Sequence, residues 1–183
     1  HGIRSASIRQ GDTLKEPLHL DRSGEIRRFD RVIANPPFSQ NYSTENMKFK
    51  ERFTHFMPES GKKADLMFLQ HMVACLKSDG RLATVMPHGV LFRGGAAKEI
   101  RKKFLEQDLI EAVIGLPQNL FYGAGVPACI LIMRPNLAAQ SPNSNKTVDR
   151  QGKVLFINAD AEYRAGRAQN YLDPEHIQKI VAT

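Results

Sequence analysis

A chain of 183 residues, 42% of them hydrophobic, is long enough for one domain with a sizeable core. No apolar run approaches the ~18 residues that a membrane-spanning helix needs. The formal net charge of +7 favours a polyanionic partner, through attraction to phosphates and release of their counterions. Cys75 and Cys129 lack metal-ligand spacing and sit in apolar segments. They are expected as buried free thiols in a reducing compartment, the cytoplasm, with no metal site.

The chain begins as if cut from a longer one. Ala6–Arg9 reads as a short strand with nothing before it to cover it, and it runs into a loop at Gly11-Asp12. Residues 15–28 are polar, contain Pro17 and Gly24, and read as a loop. Phe29–Ala34 then reads as a strand that must stop, because Asn35-Pro36-Pro37-Phe38 follows. Proline gives no ladder donor, and it pushes the preceding residue out of the helical region. Residues 39–63 are polar and punctuated by Pro58 and Gly61. A connection of that length is expected to be functional or mobile.

Asp65 is placed to cap a helix in which Leu66, Leu69, Met72, Val73 and Leu76 recur at helical spacing. His71 lies inside that pattern and reads as a packing or surface residue. Ser78-Asp79-Gly80 is expected to end the helix, with Gly80 in a left-handed cap. Arg81–Pro87 reads as a strand, Ala96 to Gln107 as a helix after Gly94-Gly95, and Leu109–Pro117 as another strand. Ala128–Pro135 is a continuous apolar strand, residues 136–152 a flexible polar excursion, and Lys153–Ala159 one more strand. Pro174 opens a terminal helix to Val181. Strands alternating with helices predict parallel βαβ units. The two strands at 109–116 and 128–134 lack a helix between them, so the second is expected to run antiparallel.

The rigid corner at 35–38 sits at the carboxyl end of a strand, where open α/β sheets place their ligand sites. A plain strand terminator is the bland alternative, and Phe38 taken alone is a core anchor. One chemistry uses all of these residues together. The exocyclic amino group of a nucleobase is a poor nucleophile, because its lone pair is delocalised into the ring. Two acceptors, the Asn35 side-chain oxygen and the Pro36 carbonyl, can hold its two protons and favour a pyramidal nitrogen. Pro36 and Pro37 would stiffen that arrangement in advance, and Phe38 offers a ring for a planar base to stack on. Lys98, Arg101 and Lys102 share one face of the 96–107 helix and are candidate phosphate contacts, or simply a solvated face. "GAGVPA", Gly123–Ala128, spells a dinucleotide-binding pattern, but it precedes a strand instead of opening a helix and is refused.

The ordered segments "GDTL", "NPPF", "KKADLMFLQHMVACLKSDGRLATVMPHGVLFRGG" and "IRKKFLEQDLIEAVIGLPQNLFYGAGVPACILIM" cover most of residues 11–134. They resemble amino-group DNA methyltransferases that use S-adenosylmethionine, and more closely the modification subunit of type I restriction-modification systems. The resemblance implies an α/β fold: part of a Rossmann-like methyltransferase sheet, mostly parallel with an antiparallel last strand, and with its first strands missing. Residues 1–135 would be the second half of the catalytic domain, 136–152 a flexible loop, and 153–183 a C-terminal strand and helix extension. The activity implied is methyl transfer from S-adenosylmethionine to the N6 of a flipped adenine. Asn35, Pro36, Pro37 and Phe38 would form the catalytic motif, Phe38 and Phe121 would flank the base, and Asp12 would lie near the cofactor's adenine.

The family's cofactor glycine motif and its ribose-binding acid lie upstream of "GDTL" and have no counterpart here. The cofactor site is therefore expected to be incomplete, and the isolated chain weakly active or inactive. The implied partners are double-stranded DNA, the specificity and restriction subunits, and the missing N-terminal half. Two other readings compete: a methyltransferase acting on RNA or on protein amide groups, and a non-catalytic module that binds DNA or docks on partner subunits.

Overall fold

A computed structural model of the chain describes residues 5–121, 125–135 and 148–182. Strand β1 (Phe29–Ala34) stops one residue short of Asn35-Pro36, and it lies parallel to β2 (Leu76–Pro87) with Ala34 opposite Thr84. Strands β3 (Ile110–Gly115) and β4 (Ala128–Met133) form the expected antiparallel return. β4 does not sit at the border of the sheet. It inserts between β2 and β3, antiparallel to both, and β5 (Leu155–Asn158) pairs parallel with β3. Among the described residues the sheet order is β1-β2-β4-β3-β5. A strand flanked on both sides and covered on both faces reads as an unbroken apolar run, which is what "ACILIM" is.

This topology decides where the loops emerge. β1, β2, β3 and β5 point the same way, so their carboxyl ends share one edge of the sheet with the start of β4. Residues 35–38, 88–95 and 116–121 all leave the sheet there. The main-chain bonds His88 N–H to Pro127 O (2.9 Å) and Leu116 N–H to Ala128 O (3.0 Å) tie the loop ends together.

Helix α1 (Asp65–Ala74) is buried almost all round. It packs against β2, and the 39–63 connection covers its outer side. That connection is not a loose excursion. Tyr42, Met47, Phe53 and Met57 enter the core, and a short 3-10 turn forms at Lys50–Arg52. Buried Gln70 fastens it. The Gln70 amide oxygen accepts from the Thr54 N–H (2.8 Å), the Thr54 hydroxyl (2.9 Å) and the His55 N–H (3.3 Å), and its nitrogen donates to His55 O (2.9 Å). The four apolar residues fall at neither helical nor strand spacing, so the pattern hides their burial.

α1 ends at Ala74, earlier than its apolar spacing predicts, and Leu76 already pairs with Phe29. Gly80 is not a left-handed helix cap. It lies in β2, where a Cβ would stand 2.9 Å from Lys77 O and 3.0 Å from Phe29 O. Glycine is required there for close backbone approach.

Helix α2 (Gly89–Phe92) is a single turn that propensity does not announce. Helix α3 (Ala96–Glu106) buries Ala97, Ile100 and Phe104 on one face, as its amphipathic pattern requires. Helix α4 (Pro174–Ala182) starts on its proline and buries none of its residues. The strand expected at Ala6–Arg9 is not formed; before β1, the described residues pair only in an isolated bridge, Leu20 with Ile26. Residues 136–147 of the predicted excursion lie outside the described residues, and Val148–Arg150 makes a 3-10 turn. Among the described residues, no helix is long and apolar enough to cross a membrane.

Candidate active site

The corner Asn35–Phe38 projects from the end of β1 with Asn35 and Pro37 exposed and Pro36 and Phe38 half-buried. Among the described residues, no hydrogen bond ends on the Asn35 side chain or on the Pro36 carbonyl. Two acceptors on a proline-stiffened stretch of backbone are therefore uncommitted to the protein's own donors. Such an arrangement can bind a group that carries two N–H protons.

The exit from the corner is held more firmly than the corner itself. Ser39 adopts a left-handed conformation (φ 55°), and its N–H donates to Oδ1 of Asp65 at 2.9 Å. Asp65 is 3% exposed, and its Oδ2 meets an Arg93 guanidinium nitrogen at 3.4 Å. Ala64 N–H donates to Gln40 O at 3.0 Å beside it. Asp65 is thus not a side-chain helix cap but the first residue of α1, bonded across to the loop. Its partner lies 26 positions away, a distance no local pattern conveys. The one hint in the sequence is a carboxylate among residues otherwise patterned for burial.

Phe121 reaches the site from the β3 side. Its ring centroid lies 6.5 Å from that of Phe38, with the planes at 73°. The topology therefore brings together two aromatic residues far apart in sequence, both half-buried.

Asp12 is exposed, and its Oδ1 accepts from Leu14 N–H and Lys15 N–H, each at 3.0 Å. Its Oδ2 takes no hydrogen bond among the described residues. The turn it closes is stapled to the 48–52 segment by Arg52, which donates to Leu14 O, and by Lys48 N–H to Lys15 O (2.8 Å). No hydrogen bond or ion pair joins Asp12 to residues 35–38. On α3, the Arg101 guanidinium donates to Val90 O (3.2 Å), and its partial burial lowers its pKa. Lys102 lies 3.7 Å from Glu106, so of the three candidates only the Lys98 side chain makes no hydrogen bond or ion pair among the described residues. Gly125–Pro127 leads into β4 and not into a helix, in keeping with the refusal of the dinucleotide pattern; Gly123 and Ala124 lie outside the described residues. Cys129 is buried and Cys75 half-buried, both are free thiols, and burial pushes each up to about 11.

S-adenosylmethionine would need an acid near its adenine and an open edge beside the corner. Asp12 offers one uncommitted carboxylate oxygen and the corner offers the edge, so the described residues fit part of such a group.

The model of the family described as N-6 DNA Methylase matches residues 1–183. A type I restriction enzyme methylase subunit (MjaVIII) of Methanocaldococcus jannaschii is 36% identical over 193 aligned positions, covering 98% of this chain and 31% of the relative. The EcoKI methylase subunit of Escherichia coli is 34% identical over 141 positions, 76% of this chain and 24% of that protein. The type I restriction-modification methyltransferase subunit of Streptococcus thermophilus superposes with a TM-score of 0.78 at 36% identity, covering 93% of this chain and 34% of that one. A class I S-adenosylmethionine-dependent methyltransferase of Listeria monocytogenes shares the fold at a TM-score of 0.53 and 20% identity, over 86% of this chain and 42% of that one. The chain spans about a third of the length of the relatives it matches most fully. With the family model matched from end to end, the chain belongs to the N-6 DNA methylase family.

Proposed function

We propose that this chain is the base-holding part of a type I modification subunit, a methyltransferase that modifies adenine N6 in DNA. The observation that carries the reading is the uncommitted pair of acceptors, Asn35 Oδ1 and Pro36 O, beside the half-buried ring of Phe38. In this reading the target adenine leaves the duplex, which costs a few kcal/mol. It stacks on Phe38, with Phe121 on its other side, and donates hydrogen bonds from its two amino N–H groups to Asn35 Oδ1 and Pro36 O. Held that way, the amino lone pair is freed from the ring and directed out of the base plane. S-adenosylmethionine, when bound, supplies the methyl group from its sulfonium. Asp12 is the residue of this chain we assign to its adenosine end.

Among the described residues, no strand–turn–helix unit precedes β1 to cradle the cofactor. We therefore expect the 183 residues alone to transfer methyl groups weakly or not at all, and to need the N-terminal half that the resemblance implies. The division at 135 and 153 is part of the same proposal, as are Lys98, Arg101 and Lys102 as phosphate contacts, the specificity and restriction subunits as partners, and a cytoplasmic location. The net charge of +7 favours a nucleic-acid substrate over a protein amide.

The test uses the longer methylase containing this chain, assembled with its partner subunits on DNA. Asn35→Ala should lower the rate of N6-methyladenine formation by ~10²-fold or more, the size expected for losing one preorganised acceptor. S-adenosylmethionine binding, followed by calorimetry, should be unchanged. A variant that methylates at the parent rate would remove the basis of the assignment.

A further inference from the structure

We propose that Asp65, backed by Arg93, is a positioning residue that sets the exit of the Asn35–Phe38 corner. Its role in methyl transfer rests on the function proposed above; the clamp itself does not. Three observations converge on it.

First, Asp65 is one of the few buried polar residues among those described, and both of its oxygens are directed away from its own helix. A carboxylate at the first position of a helix ordinarily faces the free N–H groups of its own first turn. Here Oδ1 takes the N–H of Ser39, the residue directly after Phe38, and α1 offers no side-chain cap bond to compete. Second, Ser39 has a positive φ, a conformation that a non-glycine residue adopts at a cost and keeps only where its surroundings hold it. The Asp65 bond and the neighbouring Ala64–Gln40 bond are the main-chain ties that do so. Third, the Arg93 side chain folds back against its own turn. A Cβ on Gly89 would stand 2.6 Å from the Arg93 Nε and 2.8 Å from its Cζ, so a side chain at 89 would displace the guanidinium. From there it meets Oδ2 of Asp65.

The consequence is a linkage at the carboxyl edge of the sheet. The loop after β1 bears Phe38, the loop after β2 bears Arg93, and α1 carries the carboxylate between them. Pro36 and Pro37 stiffen the entry of the corner, and Asp65 fixes its exit. With both ends set, the Phe38 ring and the Pro36 carbonyl hold a constant relation to the sheet. That relation matters in a group transfer where a displacement of about 1 Å costs ~10²-fold in rate.

Amide hydrogen exchange on the longer methylase that contains this chain tests the clamp. In Asp65→Ala the Ser39 amide should exchange ~10-fold or more faster, while Leu69 and Met72 in α1 keep their protection. Asp65→Asn retains an acceptor for Ser39 and should restore most of the protection. If Asp65→Ala does not fold, the half-exposed Arg93→Gln carries the test: a rise of about 3-fold or more confined to residues 38–40 supports the clamp. An unchanged Ser39 rate, or a rise shared equally with α1, would overturn it in favour of a purely structural carboxylate. In the longer methylase, the variant that loosens Ser39 should lower kcat by ~10-fold or more with KM for S-adenosylmethionine unchanged. Full kcat with a loosened Ser39 would overturn the positioning role. If the unaltered longer protein did not methylate adenine, the function reading alone would fail, and the exchange result would stand.

Discussion

The rings of Phe38 and Phe121 stand nearly at right angles, 6.5 Å apart, in a contact that satisfies itself. A base held between two parallel rings needs roughly 7 Å, two stacking distances of ~3.5 Å. The spacing is close to that and the angle is not, so Phe121 must turn before it can cover a base. The edge-to-face contact given up is worth about 0.5–1.5 kcal/mol, against ~1–3 kcal/mol for each base-aromatic stack. Phe121→Ala removes one stack and also the contact that competes with it, so it should weaken retention of a flipped base only about 2- to 13-fold. Phe38→Ala should cost more, because that ring neighbours the acceptors we propose for the amino group. Fluorescence of 2-aminopurine at the target position, in the longer methylase bound to DNA, reads both; equal losses would contradict the asymmetry. At this scale the sequence was legible where chemistry is local. The stop of β1 before Asn35-Pro36 announces itself because two prolines fix the local backbone. Asp65 and Arg93 do not, since their partners are set by packing and lie far along the chain.

Helix α1 shows the same limit one level up. Its apolar spacing locates it to within two residues, yet spacing says nothing of what covers its outer face. Gln70 supplies that cover by binding the Thr54–His55 main chain, and it is only 2% exposed. Gln70→Ala leaves the N–H groups of Thr54 and His55 and the carbonyl of His55 without these partners. It should cost about 2–4 kcal/mol of stability in urea unfolding. Gln70→Glu keeps the acceptor but loses the donor and buries a charge, so it should also destabilise; a neutral result for both would mean that the 39–63 segment is held by Tyr42, Met47, Phe53 and Met57 alone. β2 offers a sharper case. Gly80→Ala forces a Cβ against two carbonyl oxygens, at 2.9 and 3.0 Å, and should cost ~1–3 kcal/mol without altering the left-handed glycines elsewhere. Strand order was likewise beyond the reach of periodicity. The apolar run of β4 reveals burial on both faces, and only the paired registers place it between β2 and β3.

For the whole molecule, one buried imidazole contributes to the acid limb of stability. His71 is 8% exposed on α1, and burial, reinforced by the Arg52 charge, lowers its pKa to about 4 from 6.5. Its Nε2 lies 3.6 Å from the Cys75 sulfur and its Nδ1 has no partner, so nothing nearby rewards protonation. His19 and Arg27 line the same cavity of about 190 Å³ and add no anionic partner. The depressed value means that the unfolded chain binds the proton more readily than the folded one. Stability from this group is therefore complete above about pH 6.5, falls as the pH drops, and is lost by about pH 4. The loss is about 3 kcal/mol, a large share of a domain's usual total. Aspartates and glutamates titrate lower in the same range, so the wild-type curve alone cannot assign the slope. His71→Phe can, because the neighbouring cavity has room for the ring and the proton site is gone. Urea unfolding at pH 7.0, 5.5 and 4.5 should show the variant losing about one proton's worth less stability across that interval than the parent. Parallel curves for the two proteins would mean that His71 is protonated equally in both states, and that the acid sensitivity belongs to the carboxylates.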